Sequence, residues 1–406
     1  MAQTSPTPSV PVLIFGAHIA ALGALRVLSK RGIRCYVVDD TTNIIARSRW
    51  HRPTKPTLAE TSDSESLATF LRALDLPRAV LLPCSDQWAL AVAGLPADLR
   101  ERFPTSLPPS EAVEQFVDKH KFRLLAERLD LPRPRTLVIN GPADLDLASD
   151  DDVAHGFLKP TESHLHNRRF GTKGFFIHSR EQALRLIKQA TASGITYLLQ
   201  EWIPGGPSHT ILIDGFVDRT GSISAMVARR RVRMDPPKLA NTCSDVTIPL
   251  EEVSQVVEPI RRLLTDVGYR GIFNVEFKLD ARDGRYKIIE VNPRSFWLIG
   301  HIARAGLDLP WLSYLDAQGL PLPAPGPYQI GRYGMYEIID ATAIVRAWTH
   351  GRRPDGPILP MWLRGDRALF WWSDPLPAIT AVWQTIGRKL RRSGRRTIAA
   401  EPPAAT

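Results

Sequence analysis

The first hundred residues alternate between two apolar rhythms. VPVLIF (10–15) is a continuous apolar run of strand length, Gly16 follows as a turn, and AALGALRVLSKRG repeats its apolar positions at helical spacing until Gly32 ends the helix. IRCYVVDD then reads as a second strand, SESLATFLRAL as a helix and AVLLPCSD (79–86) as a third strand. The order β-α-β-α-β predicts a parallel sheet with helices on its faces. His18 and Asp86 fall at the C-terminal ends of two of these strands, where open α/β sheets bind ligands, and are candidate substrate contacts.

From Val113 the pattern is helical through Leu129, and LPRPRT makes a linker. Short strands follow at 156–160 (GFLKP), 174–179, 196–203, 209–217 and 222–233, with helices at 180–192 and 251–267. IFNVEFKLD (272–280), the turn ARDG and RYKIIEV (285–291) form the best-defined pair. A hairpin centred near Arg282 and Asp283 places Glu276 opposite Ile289 or Glu290, depending on the turn. In the second register Glu276 and Glu290 share a face, and Asn292 points the same way because strand side chains alternate.

Two carboxylates held that close repel unless a cation lies between them, and an oxygen-rich set with open positions suits Mg²⁺ bridging substrate phosphates. The competing reading makes both glutamates solvated strand residues paired with Lys278 and Lys287. Arg229, Arg231 and Arg233 also alternate along one strand, so three like charges on one face call for an anion.

Composition narrows the class. A chain of 406 residues, 44% hydrophobic and 23% charged, fits two or three soluble globular domains. Cys35, Cys84 and Cys243 are too few and too scattered for a disulfide framework or a zinc site. The start lacks a basic n-region and its apolar run is too short for a signal sequence or a span, which predicts a cytoplasmic protein.

The formal charge of +10 is concentrated: Arg388, Lys389, Arg391, Arg392, Arg395 and Arg396 occur together with no acid among them. A local excess of this kind does not imply a specific nucleic-acid partner. Ahead of it Ile379, Val382, Trp383, Ile386 and Leu390 recur at helical spacing, either as a stripe packed on the protein's own core or as a surface for anionic membrane.

The sequence GTKG (171–174), the strand-end Lys159, QEWI (200–203) and a terminal E-x-N-P-R, in that order, resemble the ATP-grasp superfamily of carboxylate-amine ligases. Within it the sequence resembles the branch of ATP-dependent carboligases that includes D-aspartate ligase. The resemblance covers roughly residues 10 to 320. It implies α/β and α+β architecture: a Rossmann-like pre-ATP-grasp domain (1–112), an ATP-grasp domain (113–325) with a lid subdomain at about 135–203, and a C-terminal extension (326–406).

It implies ATP and Mg²⁺, with Mn²⁺ as an alternative ion, the metal held by Glu276, Glu290 and Asn292. It implies catalytic roles for Arg294 and Lys159, and nucleotide contacts from Lys119, with Lys121 competing, and from Lys159 and Gly171, Thr172, Lys173 and Gly174 of a phosphate lid. At the base it implies Gln200, Glu201, Trp202 and Ile203. The acid expected next near the ribose is replaced here by PGGPSH, which leaves Ser208 or His209 as substitutes. Arg231 and Arg233 match basic positions near phosphate or an acidic substrate.

The activity implied joins a small-molecule carboxylate, activated as an acyl phosphate, to an amine. Two alternatives remain open: a bicarbonate-using carboxylase of the same superfamily, and a nicotinamide-dependent oxidoreductase. The second rests on the turn at Gly16 and on Asp39 at ribose distance, although GAHIAA departs from the G-x-G-x-x-G fingerprint.

Overall fold

The computed structural model describes residues 10–16, 18–38, 44–58, 63–161, 163–236, 241–324 and 326–398. Asp39, the acid weighed for a dinucleotide ribose, lies outside them. Among the described residues three sheets organise the chain.

The first is parallel, with β1 (Val12–Phe15) between β2 (Cys35–Val38) and β3 (Val80–Pro83). Every residue of β1 is buried because its alternate faces enter two different cores. Val12 and Ile14 pack with the helix Ile19–Lys30, while Leu13 and Phe15 pack with the helix Ser64–Ala73. That two-sided burial explains the unbroken apolar run. Gly16 ends β1 at φ +131°, and a Cβ there would lie 3.3 Å from that of Cys84, so a side chain would be strained as well as crowded.

The second sheet, antiparallel, takes the order β4 (Thr136–Ile139), β7 (Tyr197–Glu201), β5 (Gly156–Pro160), β6 (Phe175–Phe176). Ala183, Ile187 and Ala190 of the helix Arg180–Thr191 close its core against Ile139, Tyr197 and Leu199. Two expectations change here. The strand read at 174–179 shrinks to two residues, and the helix Ser163–Phe170 enters between Lys159 and the GTKG loop. The single helix read over 113–129 is two, Ser110–Val117 and Lys119–Arg128, because the Asp118 carboxylate caps the second by accepting from the backbone N–H of His120 and Lys121 at 2.8 and 3.0 Å.

The third sheet has seven strands, in the order β12 (Arg285–Asn292), β11 (Gly271–Asp280), β8 (Thr210–Val217), β9 (Ile223–Asp235), β10 (Asn241–Ile248), β13 (Tyr333–Met335), β14 (Asp366–Arg367). Sequence pattern missed β10 because several of its buried positions are polar: Ser244, Asp245 and Thr247 are all enclosed.

The C-terminal extension is integral to this sheet, supplying β13 and β14. The long helix Leu376–Ile398 follows. Its Ala378 and Ala381 enter the core beside Ile45, but Ile379, Val382, Trp383 and Ile386 remain exposed, so of the two readings of the stripe, packing on the protein's own core does not hold. The side chain of Leu390 lies outside the described residues. Among the described residues no helix is long and apolar enough to cross a membrane.

Candidate functional site

The β11–β12 hairpin adopts both registers open to it. Asn274 pairs with Asn292, Val275 with Val291 and Glu276 with Glu290; the register then shifts, so that Phe277 pairs with Ile288 and Lys278 with Lys287. The shift is a bulge at Ile289. A bulge bends the strand and frees a backbone group from the ladder, and the Ile289 carbonyl accepts from Lys159 Nζ at 3.5 Å. The irregularity thus links β5, on the second sheet, to the carboxylate hairpin.

The hairpin floors a cleft of about 1470 Å³ whose walls come from the second and third sheets and, on the N-terminal side, from the helix Asp86–Ala93 that follows β3. Glu276, Glu290 and Asn292 face into it, as do Lys119, Lys159 and Lys173. Burial alone would push the Glu290 carboxyl up; Lys159, Lys173, Lys119 and Arg294 together outweigh it and hold the pKa below the ordinary value. Lys173, exposed at the cleft, is lowered by desolvation between its walls, against the raising effect of Glu290 and Glu276. Glu276 has its own cation, because Arg231 Nη2 donates to its Oε2 at 2.8 Å.

A hydrogen-bonded chain orients the remaining oxygens. Arg229 and the Asn274 amide both donate to Asp214, the Asn292 amide donates to Asn274 Oδ1 at 2.9 Å, and Arg294 Nη2 donates to Asn292 Oδ1 at 2.9 Å. Arg294 also grips Asp86 with two nitrogens, at 2.7 and 3.3 Å. Burial works against its charge, yet Asp86 and Glu290 raise its pKa. His18 belongs to this corner: desolvation first, then Arg294, bring its pKa down to about 4 despite Asp86, so the ring is neutral at pH 7. Of these three candidates from distant sequence positions, Asp86 and Arg294 meet in the cleft wall, whereas His18 feels their charges but does not line the cleft.

Not every candidate reaches the cleft. Arg233 is a correction: it is enclosed, bound to both oxygens of Asp340 at 2.8 and 3.0 Å and to the Asp355 carbonyl at 2.6 Å, and so ties β9 to the C-terminal extension. Arg229 does reach the cleft wall, but its charge is held between Asp214 and Asp245. The anion that three aligned arginines demand is supplied by the protein's own carboxylates, with Glu276 serving Arg231.

In the GTKG loop only Lys173 lines the cleft. Gly174 is required for packing, since a Cβ there would lie 2.4 Å from the Phe157 ring at φ +154°. Thr172 bonds the Gly174 carbonyl within the loop.

Gln200, Glu201, Trp202 and Ile203 all line the cleft. The Glu201 carboxylate is engaged, accepting from Arg282 at 2.5 Å and from the Arg135 backbone N–H at 3.1 Å. Ser208 and His209 do not line it, whereas Gly205, Gly206 and Thr210 do. Lys119 and Lys121 both line the cleft; Lys119 reaches the Pro160 carbonyl at 2.6 Å, while Lys121 pairs with Glu114.

Lys278 is a cleft residue that sequence reading assigned only to a solvated pair. It lies over the Trp202 ring at 4.3 Å, and desolvation lowers its pKa to about 8. The strand period carried the signal, because 274, 276 and 278 share one face.

Comparison with known proteins follows the same lines. The family model "ATP-grasp in the biosynthetic pathway with Ter operon" matches residues 196–331. D-aspartate ligase of Enterococcus faecium (strain Aus0004) is 27% identical over 241 residues, covering 57% of this chain and 56% of that protein. The arginine-specific large chain of carbamoyl phosphate synthase from Geobacillus stearothermophilus is 24% identical over 193 residues, 46% of this chain and 17% of its own. The chain thus spans about half the length of the first relative and a smaller part of the second.

Among solved structures, an ADP complex of N5-carboxyaminoimidazole ribonucleotide synthetase superposes with a TM-score of 0.61 at 14% identity, covering 85% of this chain and 87% of that one. Biotin carboxylase from Campylobacter jejuni gives 0.59 at 14% identity over 80% and 74%. Phosphoribosylglycinamide synthetase from Anaerococcus prevotii gives 0.56 at 15% over 77% and 76%. At these identities the likeness is one of fold. The chain has the fold of these ATP-grasp structures, and its residues 196–331 are similar to an ATP-grasp family model.

Proposed function

We propose that this protein is an ATP-dependent carboxylate-amine ligase that forms ADP. The observation that carries the reading is the convergence of Glu276, Glu290 and Asn292 with Lys119, Lys159, Lys173 and Arg294 in one cleft. Similarity to D-aspartate ligase supports amide formation over the carboxylase and oxidoreductase alternatives.

The reaction needs no nucleophile from the protein. A substrate carboxylate oxygen attacks the γ-phosphorus of ATP, the bond to the β-phosphate oxygen breaks, and acyl phosphate and ADP result. An amine then attacks the acyl carbon, phosphate leaves with the C–O bond electrons, and the nitrogen loses a proton. The protein's contribution is positioning and charge neutralisation.

Lys119, Lys159 and Lys173 surround the place where phosphate charge would accumulate. Arg294, planar and permanently charged, suits the acyl and phosphate oxygens, with Asp86 and Asn292 fixing its plane. His18, neutral near pH 7, adds no positive charge beside it.

The donor set of two carboxylates and an amide oxygen fits Mg²⁺, with Mn²⁺ as an alternative. Glu276, Glu290 and Asn292 would hold it, and a bound ion would neutralise phosphate charge. Lys278 and Trp202, beside the strand Tyr197–Glu201, mark the place for the base. We further infer small-molecule carboxylate and amine substrates, a cytoplasmic setting and no specific nucleic-acid partner.

The test is Mg²⁺-dependent release of ADP, AMP and phosphate from ATP against pooled amino acids, hydroxy acids and amines. ADP release that needs both a carboxylate and an amine supports the ligase. AMP release, or turnover with bicarbonate alone, overturns it.

A further inference from the structure

The helix Leu376–Ile398 is seated on the protein by its small side and displays its large one. Ala378 and Ala381, 8% and 5% exposed, pack into the core, whereas Trp383 is 69% exposed, Leu376 55%, Ile379 48%, Val382 47% and Ile386 44%. Residues 376, 379, 383 and 386 recur every three or four positions, and 382 falls beside them, so the exposed apolar groups form one stripe. Trp372, just before the helix, is 90% exposed. Burial of large side chains stabilises more than burial of alanine, so a helix serving only its own core would turn the other way. An exposed contiguous apolar stripe marks an interaction surface.

The base of this helix is fixed. Asp374, enclosed, accepts from Arg26 Nε at 2.9 Å, from Ser48 Oγ at 2.8 Å and from the backbone N–H of Arg49 at 2.9 Å, while Arg26 Nη2 donates to its carbonyl at 2.8 Å. Arg26 and Arg304 also lie over the Trp371 ring, at 5.1 and 4.0 Å. The stripe therefore projects from a rigid mount on the N-terminal sheet's own helix.

Charge decides the occupant. The helix runs on through Arg388, Lys389, Arg391, Arg392, Arg395 and Arg396, and the chain has no acid between Asp374 and Glu401. A second copy would bring the same cations together and be repelled. An apolar stripe with tryptophan, joined to a dense basic segment, matches the two requirements of an anionic lipid surface: side chains for the acyl boundary and cations for the headgroups. We propose that this helix docks the protein in the plane of an anionic bilayer. It lies on the surface, since no described helix can span.

The experiment is flotation of the full chain with phosphatidylcholine vesicles, with and without phosphatidylglycerol. Binding is expected only with the anionic lipid, falling as salt is raised. Replacing Trp372 and Trp383 by serine, or Arg391, Arg392, Arg395 and Arg396 by glutamine, should each weaken it by at least about tenfold. Thermal melts matching the wild type show that the fold is kept. In the unaltered chain, brominated lipid should quench tryptophan fluorescence.

Absence of binding to anionic vesicles, equal binding to neutral ones, or indifference to both sets of substitutions overturns the proposal. So does a dimer by sedimentation that Trp383→Glu dissolves. ATP turnover in solution is measured alongside, so that a failed ligase reading and a failed docking reading are told apart.

Discussion

Glu276 and Glu290 are direct cross-strand partners, immediately before the bulge that shifts the register of their hairpin. Like charges directly opposite each other destabilise a sheet, so the pair persists because Arg231 covers one carboxylate and three lysines surround the other. Glu290→Gln should remove a charge that the reaction needs and that Lys159, Lys173, Lys119 and Arg294 favour in the folded state. ADP release is expected to fall on the order of 10²–10³-fold, with a melting temperature somewhat below that of the wild type because those cations lose their partner. Full activity in this variant would break the link between the hairpin and phosphoryl transfer.

Arg231 and Arg233 share a strand face yet should behave oppositely. Arg233→Ala strands the enclosed Asp340 carboxylate, a loss of about 3–5 kcal/mol. Arg231→Ala opens onto the cleft and uncovers Glu276, so its stability cost should be nearer 1–2 kcal/mol, with most of the effect on ATP turnover. Denaturant melts beside steady-state kinetics distinguish the two; equal destabilisation would contradict the assignment.

Much of this site could be read before any coordinates. The apolar strand ending in Glu290 and the hairpin length together placed both glutamates and Asn292 on one face, because a strand's side-chain period is fixed. Sequence could not show that the arginines of β9 would find carboxylates across the sheet: Asp214 and Asp245 sit on neighbouring strands, and Asp340 is more than a hundred residues away. The same pairing hid β10, whose enclosed acid and hydroxyls look like solvated positions. Which way the final helix faces was equally illegible, since an apolar stripe does not say what covers it.

The Arg294–Asp86 contact joins the ATP-grasp sheet to the N-terminal one. Arg294→Lys keeps the charge but cannot reproduce the two-nitrogen grip. We expect kcat to fall by about 10²-fold with a smaller change in ATP KM. Asp86→Asn, which keeps an acceptor beside Arg294, should be milder in kcat and raise the KM of the amine or carboxylate substrate. An unchanged substrate KM would remove Asp86 from the substrate site.

Lys278 gives a pH-dependent signature. Desolvation beneath the cleft, helped by Arg231 and opposed by Glu276, lowers its pKa from 10.5 to about 8. The folded state therefore disfavours the charged form. Below pH 8 the penalty is fully present; as pH rises from 8 towards 10.5 the unfolded chain holds the proton that the folded chain has lost, and this group's contribution to stability climbs. Lys278→Met should accordingly be more stable than the wild type at pH 7, with the difference shrinking across that interval. Amine labelling with trinitrobenzenesulfonate, mapped by mass spectrometry, should show a midpoint near pH 8 at Lys278, shifting lower in Glu276→Gln because the opposing carboxylate is gone. A midpoint at the ordinary lysine value would mean that Lys278 faces bulk water and not the cleft.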